Sequence, residues 1–341
     1  MKTMHVEEAV GTVLCHDITR IVPGESKGPA FRRGHVVTKA DIPHLLDIGK
    51  EHLYVFDPQD GYVHEDEAAR RIAKAAAGPG IELSTPVEGK ITLRAEHDGL
   101  LDINTDALFQ LNSVKDVIFG TIHTNQLVNK GRAMAGTRVI PLVVPEEIVA
   151  EAETVLHDNA PLIQVRPLKK CRVGIVTTGS EVYNGRIKDK FGPVIRKKFK
   201  GYGSTTIGQK LVSDQQDMTV NAIQDFLEEG ANFIVVTGGM SVDPDDQTPA
   251  SIRATGAEII SYGAPTFPGA MFMLAKIGDV PVVGLPGCVM YYRASIFDLI
   301  IPRILAGKDV TEKDIINLGH GGFCEGCETC RYPVCSFGKG A

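Results

Sequence analysis

The stretch Ala231-Asn-Phe-Ile-Val-Val-Thr-Gly-Gly-Met-Ser-Val-Asp-Pro-Asp-Asp246 decides how the rest of the 341-residue chain is read. Phe233 to Val236 are apolar and mostly β-branched, and they stop at Gly238-Gly239, which predicts a buried parallel strand running into a loop. Glycines at that point permit positive φ and let backbone N–H groups approach an anion. Asp243, Asp245 and Asp246 follow and are candidates for holding a divalent cation. A tight turn with a solvated acidic loop is the alternative.

Two other strands share this grammar. Arg172-Val-Gly-Ile-Val176 runs into Thr177-Thr-Gly-Ser-Glu181, and Val280-Pro-Val-Val-Gly-Leu285 runs into Pro286-Gly-Cys288. Buried strands that each end in a glycine-containing loop predict an α/β fold, a doubly wound, mostly parallel sheet with its ligand at the strands' C-terminal ends. Helices fill the gaps. Ser213-Asp-Gln-Gln216 has capping-box form ahead of a face made by Met218, Ala222, Ile223, Phe226 and Leu227, ending at Gly230. Asp246-Gln-Thr-Pro249 opens a second helix, and a third is expected from Met290 to Ile301.

The three loops are expected to converge on one crevice. Thr178, Gly179, Ser180, Gly238, Gly239, Met240, Ser241, Pro286, Gly287 and Cys288 would surround a ligand there, with Glu181, Asp214 and Asp246 as candidates for Mg2+. Neither the Gly-x-x-x-x-Gly-Lys-Ser/Thr nor the Gly-x-Gly-x-x-Gly pattern is present, which removes ordinary P-loop and Rossmann readings. The residues themselves specify a phosphate-bearing small molecule and nothing finer. Cys288, Cys15 and Cys171 read as small, partly buried side chains, with a role for Cys288 near a metal as the alternative.

Composition sets the outer limits. With 43% hydrophobic residues the chain can bury a full core, and its net charge of −6 with no Trp argues against nucleic acid as main partner. Acidic residues stand near the N-terminus where a signal peptide needs its apolar segment, and no apolar run is long enough to span a bilayer. The expectation is a cytoplasmic protein without a membrane partner. Four of seven cysteines, Cys324, Cys327, Cys330 and Cys335, cluster near the C-terminus. Their Cys-x₂-Cys-x₂-Cys-x₄-Cys spacing is close to a ferredoxin run, which predicts an iron–sulfur cluster, with Zn2+ and an unmetallated tail as rivals. A segment this poor in apolar residues would need a metal to fold alone.

Before the α/β region, turn signals at Pro23-Gly24 and Gly28-Pro29 alternate with short apolar runs, a helix is expected over Ile42–Ile48 and a strand over Leu53–Phe56. An Ala-rich helix from Glu65 to Ala77 precedes strands at Lys90–Arg94, Asp116–Gly120 and Arg138–Val144, then a helix from Pro145 to about Leu156. Asp98, Asp102, Asn104 and Asp106 read as turn residues. The organisation expected is an N-terminal α+β segment (1–60), a β-rich inserted region with flanking helices (61–160), the α/β domain (165–310) and a Cys-rich tail (311–341).

Thr178-Gly-Ser-Glu181, Thr237-Gly-Gly-Met-Ser-Val242 with Asp246, and Gly284-Leu-Pro-Gly287 resemble, in order, the molybdopterin-binding domain shared by molybdopterin adenylyltransferase and molybdopterin molybdotransferase. Gly34 to Gly49 also resembles a piece of the molybdotransferase. The resemblance implies molybdopterin or its adenylylated form as ligand, Mg2+ as cofactor and a place in molybdenum or tungsten cofactor biosynthesis, as a transferase or as a carrier that serves a partner molybdoenzyme. It also implies a homo-oligomer. Departures accompany it: Asp60-Gly-Tyr-Val63 echoes an Asp-Gly-Tyr-Ala signature out of order, Ala270 stands where Pro-Gly-Lys-Pro has its Lys, and Cys288 where Pro-Gly-Asn-Pro has its Asn. Loss of that Lys removes a charge-assisted contact to an anion.

Overall fold

The computed structural model describes residues 2–22, 24, 26–55 and 61–340; Pro23, Phe56 and Asp60 lie outside the described residues. Contacts divide the chain into two compact units, Met1–Glu96, Ile103–Ile122 and Lys130–Gln164 in one and His97–Asp102, His123–Asn129 and Val165–Ala341 in the other.

In the first unit, strands Lys2–His5 and His52–Val55 pair antiparallel, and a helix, Asp41–Asp47, closes at Gly49 with φ 77°. Val6, Leu14, Leu45 and Leu53 form a small core there. A four-stranded antiparallel sheet holds Ile81–Leu83, Ile91–Ala95, Ala133–Val139 and Val117–Thr121. The helices Glu65–Ala76 and Glu146–Asp158 are tied by Arg71, which donates to Glu146 at 2.7 Å and Glu153 at 2.6 Å. The strand expected over Arg138–Val144 is two: the first ends at Val139 ahead of Pro141, and Val143–Pro145 pairs with Tyr62–His64. Asn104 proves to be a helix cap, accepting from the Ala107 N–H for the helix Thr105–Ser113, which Asx-turn reasoning concealed.

The second unit is built on a six-stranded sheet: β1 Arg172–Thr178, β2 Thr205–Val212, β3 Phe233–Thr237, β4 Glu258–Tyr262, β5 Met273–Ile277 and β6 Val280–Leu285. Its order is β2-β1-β3-β6-β5-β4; the first four are parallel, while β5 and β4 add antiparallel. The chain leaves β1 for β2 on one side and returns to β3 on the other, so the crevice between the ends of β1 and β3 is a topological switch point. Strands β2 and β4 escaped the sequence reading because polar residues interrupt them, and β5, Met-Leu-Ala-Lys-Ile, because it lacks a β-branched run.

Helices α1 Phe191–Gly201, α2 Gln216–Glu228, α3 Thr248–Ala254 and α4 Ile296–Leu305 accompany the sheet. Phe199, Phe233, Phe297 and Ile300 fill one buried cluster, and Ile223, Phe226, Ile234 and Val236 another. The capping box expected at Ser213–Gln216 does not form, since Gln215 is the cap and Asp214 turns to the Ser180 N–H at 2.8 Å. The helix expected over Met290–Ile301 is broken into Cys288–Tyr291 and α4, where Ser295 and Asp298 supply a capping box instead.

Asp102, read from sequence as a turn residue, accepts from Arg166 and Lys308, both at 2.7 Å, and Lys308 also reaches Asn125 at 2.9 Å. Burial alone would raise the Asp102 carboxyl, but hydrogen bonds from Lys308 and Arg166 outweigh it and hold it below the ordinary carboxylate value. A depressed folded-state value stabilises above the unfolded value of about 3.9, and that contribution fades as pH falls through the folded value. Asp102→Asn should therefore cost about 1–3 kcal/mol near neutral pH. Urea unfolding at a series of pH values should show the gap to wild type narrowing below about pH 4.

Candidate functional site

Three chain reversals meet at the switch point, and backbone geometry explains their glycines. Gly238 and Gly239 have φ of 85° and 53°. A Cβ on Gly238 would stand 2.2 Å from the Thr178 carbonyl oxygen, so the loops after β1 and β3 pass one another with no room for a side chain. Threonines stitch this crossing. Thr248 Oγ1 donates to the Gly238 carbonyl at 2.8 Å and lies 3.1 Å from Thr178 Oγ1, which in turn lies 3.3 Å from the Thr237 carbonyl. Beneath them Thr237 Oγ1 donates to Thr177 Oγ1, which also receives the Gln209 amide at 2.9 Å. That amide reaches Asp189 at 2.8 Å, and Asp189 accepts from the Phe191 and Gly192 N–H groups at the start of α1. Thr177, Thr237, Thr248 and Gln209 were missed as site supports; the threonines that end both β1 and β3 were the available signal.

Two cavities open from the glycine turn. One, about 740 Å3, is lined by Gly238 to Ser241, Asp246, Phe267 to Met271, Pro286 to Cys288, and tail residues Phe323 and Cys324. The other, about 910 Å3, is lined by Thr178 to Val182, Asp214, Asp243 to Asp246 and the segment from Arg186 to Phe191. Every residue expected at the ligand therefore borders one cavity or both, with Gly238, Gly239 and Asp246 common to the two. Met240 contributes chiefly to the core, buried against Gly284.

The acidic residues are distributed unevenly. Asp214 spends one oxygen on the Ser180 N–H, Glu181 is exposed and folds back on Gly179, and Asp246 is half-buried. Asp243 and Asp245, although exposed, line the same cavity as Asp246. Among the described residues no group of three or more His, Cys, Asp or Glu side chains converges so as to hold a metal ion. Mg2+ does not require one, because it commonly takes one or two carboxylates and completes its shell with phosphate oxygens and water. The donor set thus fits Mg2+ delivered with a phosphorylated ligand.

The positive charge missing at Ala270 is found elsewhere. Arg186, Lys188 and Lys190 line the larger cavity together with the carboxylates, whereas the smaller cavity has no Lys or Arg among its lining residues. Their alternating spacing in Arg186-Ile-Lys-Asp-Lys190 was the signal that the sequence reading passed over. Burial pushes the Cys288 thiol up, so it stands protonated and unreactive at neutral pH.

The four tail cysteines are not gathered around a point. Cys327 is exposed, while Cys324, Cys330 and Cys335 pack against the core of the second unit. The premise that the tail needs a metal for its folding energy also gives way: Phe337 is 2% exposed, and Tyr332 donates to the Asp298 carbonyl at 3.0 Å. This segment borrows the domain's core instead of building its own.

Comparison with known proteins places these features in a class. Residues 174–306 match the family model described as "Probable molybdopterin binding domain", and residues 3–57 match a domain of unknown function. The matched residues lie within the second unit and include the glycine turn and the loops on either side of it. Among individual proteins, the chain is 26% identical over 304 residues to a molybdopterin molybdenumtransferase of Bacillus subtilis, covering 83% of this chain and 65% of that one. The chain thus spans less than two thirds of that relative's length. A CinA-like protein of Mycobacterium sp. is 33% identical over 90 residues, 26% of this chain and 21% of its own. A solved molybdopterin biosynthesis enzyme MoaB of Thermus thermophilus superposes with a TM-score of 0.35 at 21% identity, over 40% of this chain and 98% of its own. No helix among the described residues is long and apolar enough to cross a membrane.

The crossing of loops makes a sharp contrast testable. Gly238→Ala adds a Cβ at positive φ against a carbonyl and should cost more than about 1 kcal/mol, whereas Gly287→Ala, with nothing within 4 Å and φ −54°, should be nearly neutral. Thermal unfolding of both variants measures the difference.

Proposed function

We propose that the second unit binds molybdopterin or its adenylylated form, in molybdenum or tungsten cofactor biosynthesis, with the phosphate at the Gly238–Ser241 turn. The observation that carries this reading is the glycine turn at the switch point, shared by a cavity rich in polar groups and a more apolar one. An anion at the turn would receive backbone N–H groups freed by positive φ. Arg186, Lys188 and Lys190 would neutralise a second phosphate or an adenylyl group in the larger cavity. Asp246, with Glu181 or Asp214, would hold Mg2+, which supplies charge neutralisation and orientation for group transfer.

Whether transfer occurs in this protein is a separate matter, and one observation favours a carrier. The cavity around Ala270 has no basic side chain among its lining residues, so an oxyanion such as molybdate would find no charge-assisted contact there. On this reading the protein holds the cofactor for a partner molybdoenzyme. Homo-oligomerisation and a metal at the tail cysteines belong with these proposals; metal analysis of purified protein decides the latter.

Equilibrium titration with molybdopterin tests the site. Gly239→Asp, which places a carboxylate where the phosphate would sit, should abolish binding, and Asp246→Ala should remove most of its Mg2+ dependence. Unchanged affinity in both variants would sink the site assignment. Turnover of adenylylated molybdopterin with molybdate supports the transferase, and tight binding without turnover the carrier.

A further inference from the structure

The phosphate site leaves two phenylalanines unexplained. Phe267 and Phe323 both line the smaller cavity, yet 58% of Phe267 and 69% of Phe323 is exposed. Scattered exposed apolar side chains are ordinary, but two adjacent aromatic rings on a cavity wall are not scattered.

Their backbones are fixed in spite of this exposure. The Phe267 N–H donates to the Gly322 carbonyl at 2.8 Å, and the Cys324 N–H donates to the Phe267 carbonyl at 2.8 Å, a short parallel bridge between residues 267 and 323. Gly322 is buried, and a Cβ there would stand 2.2 Å from the Pro265 carbonyl oxygen and 2.5 Å from that of Leu318. Only glycine allows the tail to approach this closely. On the far side, the Gly338 N–H donates to the Gly321 carbonyl at 2.9 Å, and Phe337 is buried in the core. Residues 321 to 338 are therefore a loop closed at its ends, which holds the Cα of residue 323 at the cavity while its ring projects free.

Ring geometry suits an inserted plane. The two centroids are 6.5 Å apart with planes at 52°, a tilted pair. A flat ring between two aromatic faces needs about 7–8 Å, twice the optimal carbon separation of about 3.5–4.0 Å. Turning the exposed Phe323 ring through the 52° between the planes, with an outward shift of about 1 Å, opens a parallel slot of that width. Phosphate binding at Gly238–Ser241 would leave the rest of such a ligand to extend along this same cavity, whose walls there are apolar and aromatic.

We propose that Phe267 and Phe323 form an aromatic clamp for a flat heteroaromatic ring, so that the tail, outside the matched family region, selects the ligand. The inference rests on the molybdopterin reading above and assigns the partner of the pterin ring.

The test uses the full chain and two probes, molybdopterin and unsubstituted pterin, followed by quenching of pterin fluorescence. Phe323→Ala and Phe323→Leu should each weaken molybdopterin binding about tenfold and abolish the stacking-dependent quenching, with an unchanged melting temperature. Phe323→Tyr should retain both. Phe337→Ala, which frees the loop, should reproduce the Phe323→Ala phenotype. Wild-type protein that binds molybdopterin while Phe323→Ala and Phe323→Leu bind and quench as well overturns the clamp and leaves the phosphate site standing. Equal loss in Phe323→Tyr also overturns it. Wild-type protein that binds no molybdopterin, whatever its Phe323 variants do, refutes the site reading itself.

Discussion

The second unit depends on one close approach, the passage of Gly238 across the carbonyl of Thr178. Two parallel strands that diverge at a switch point leave their terminal peptide groups without ladder partners, and buried peptide groups must find others. Here the threonine hydroxyls find them: Thr248 takes the Gly238 carbonyl and Thr178 the Thr237 carbonyl. The same arrangement places helix starts, carboxylates and the glycine turn around a common point. The two adjoining cavities are therefore a by-product of satisfying the strand ends, and they differ because different loops wall them.

How much of this was legible depends on the kind of force involved. Strands β1, β3 and β6, each with a buried run rich in Val and Ile, announce themselves, and so do the glycine loops that end them, because burial on both faces and positive φ each restrict residue choice severely. Strand β2, reading Thr205-Thr-Ile-Gly-Gln-Lys-Leu-Val212, is only partly buried and gives no such signal. Asp102 illustrates a different limit. Its role comes from Arg166 and Lys308, 64 and 206 positions away, and no local pattern distinguishes such a carboxylate from a turn former. Capping at Ser213 fails for a local reason, since the helix starts at Gln216 with Gln215 as its cap and the Ser213 hydroxyl donates to the Met218 sulfur at 3.1 Å.

The tail shows how a motif can be read correctly as a pattern and still mislead about energetics. Four closely spaced cysteines in an apolar-poor segment suggest a metal-dependent fold when the segment is considered alone. It is not alone: Tyr332 and Phe337 insert beside Phe297 and Asp298 of α4, and Lys198 pairs with the buried Asp298 at 2.7 Å beneath them. Anchoring by a neighbouring core is invisible to spacing rules. It also makes the segment a wall of the smaller cavity, through Phe323 and Cys324.

The discontinuity of the second unit bears on modularity. Because His97–Asp102 and His123–Asn129 belong to the same compact body as Val165–Ala341, that body cannot be excised as one continuous cassette. Cutting the gene at the sequence boundary near residue 165 would strand Arg166 and Lys308 without their shared carboxylate. On the ribosome, the body cannot close until nearly the whole chain has emerged, since Lys308 must meet an aspartate made about 200 residues earlier. The second unit is thus interleaved in sequence with the first, and neither can be cut away as a single uninterrupted piece.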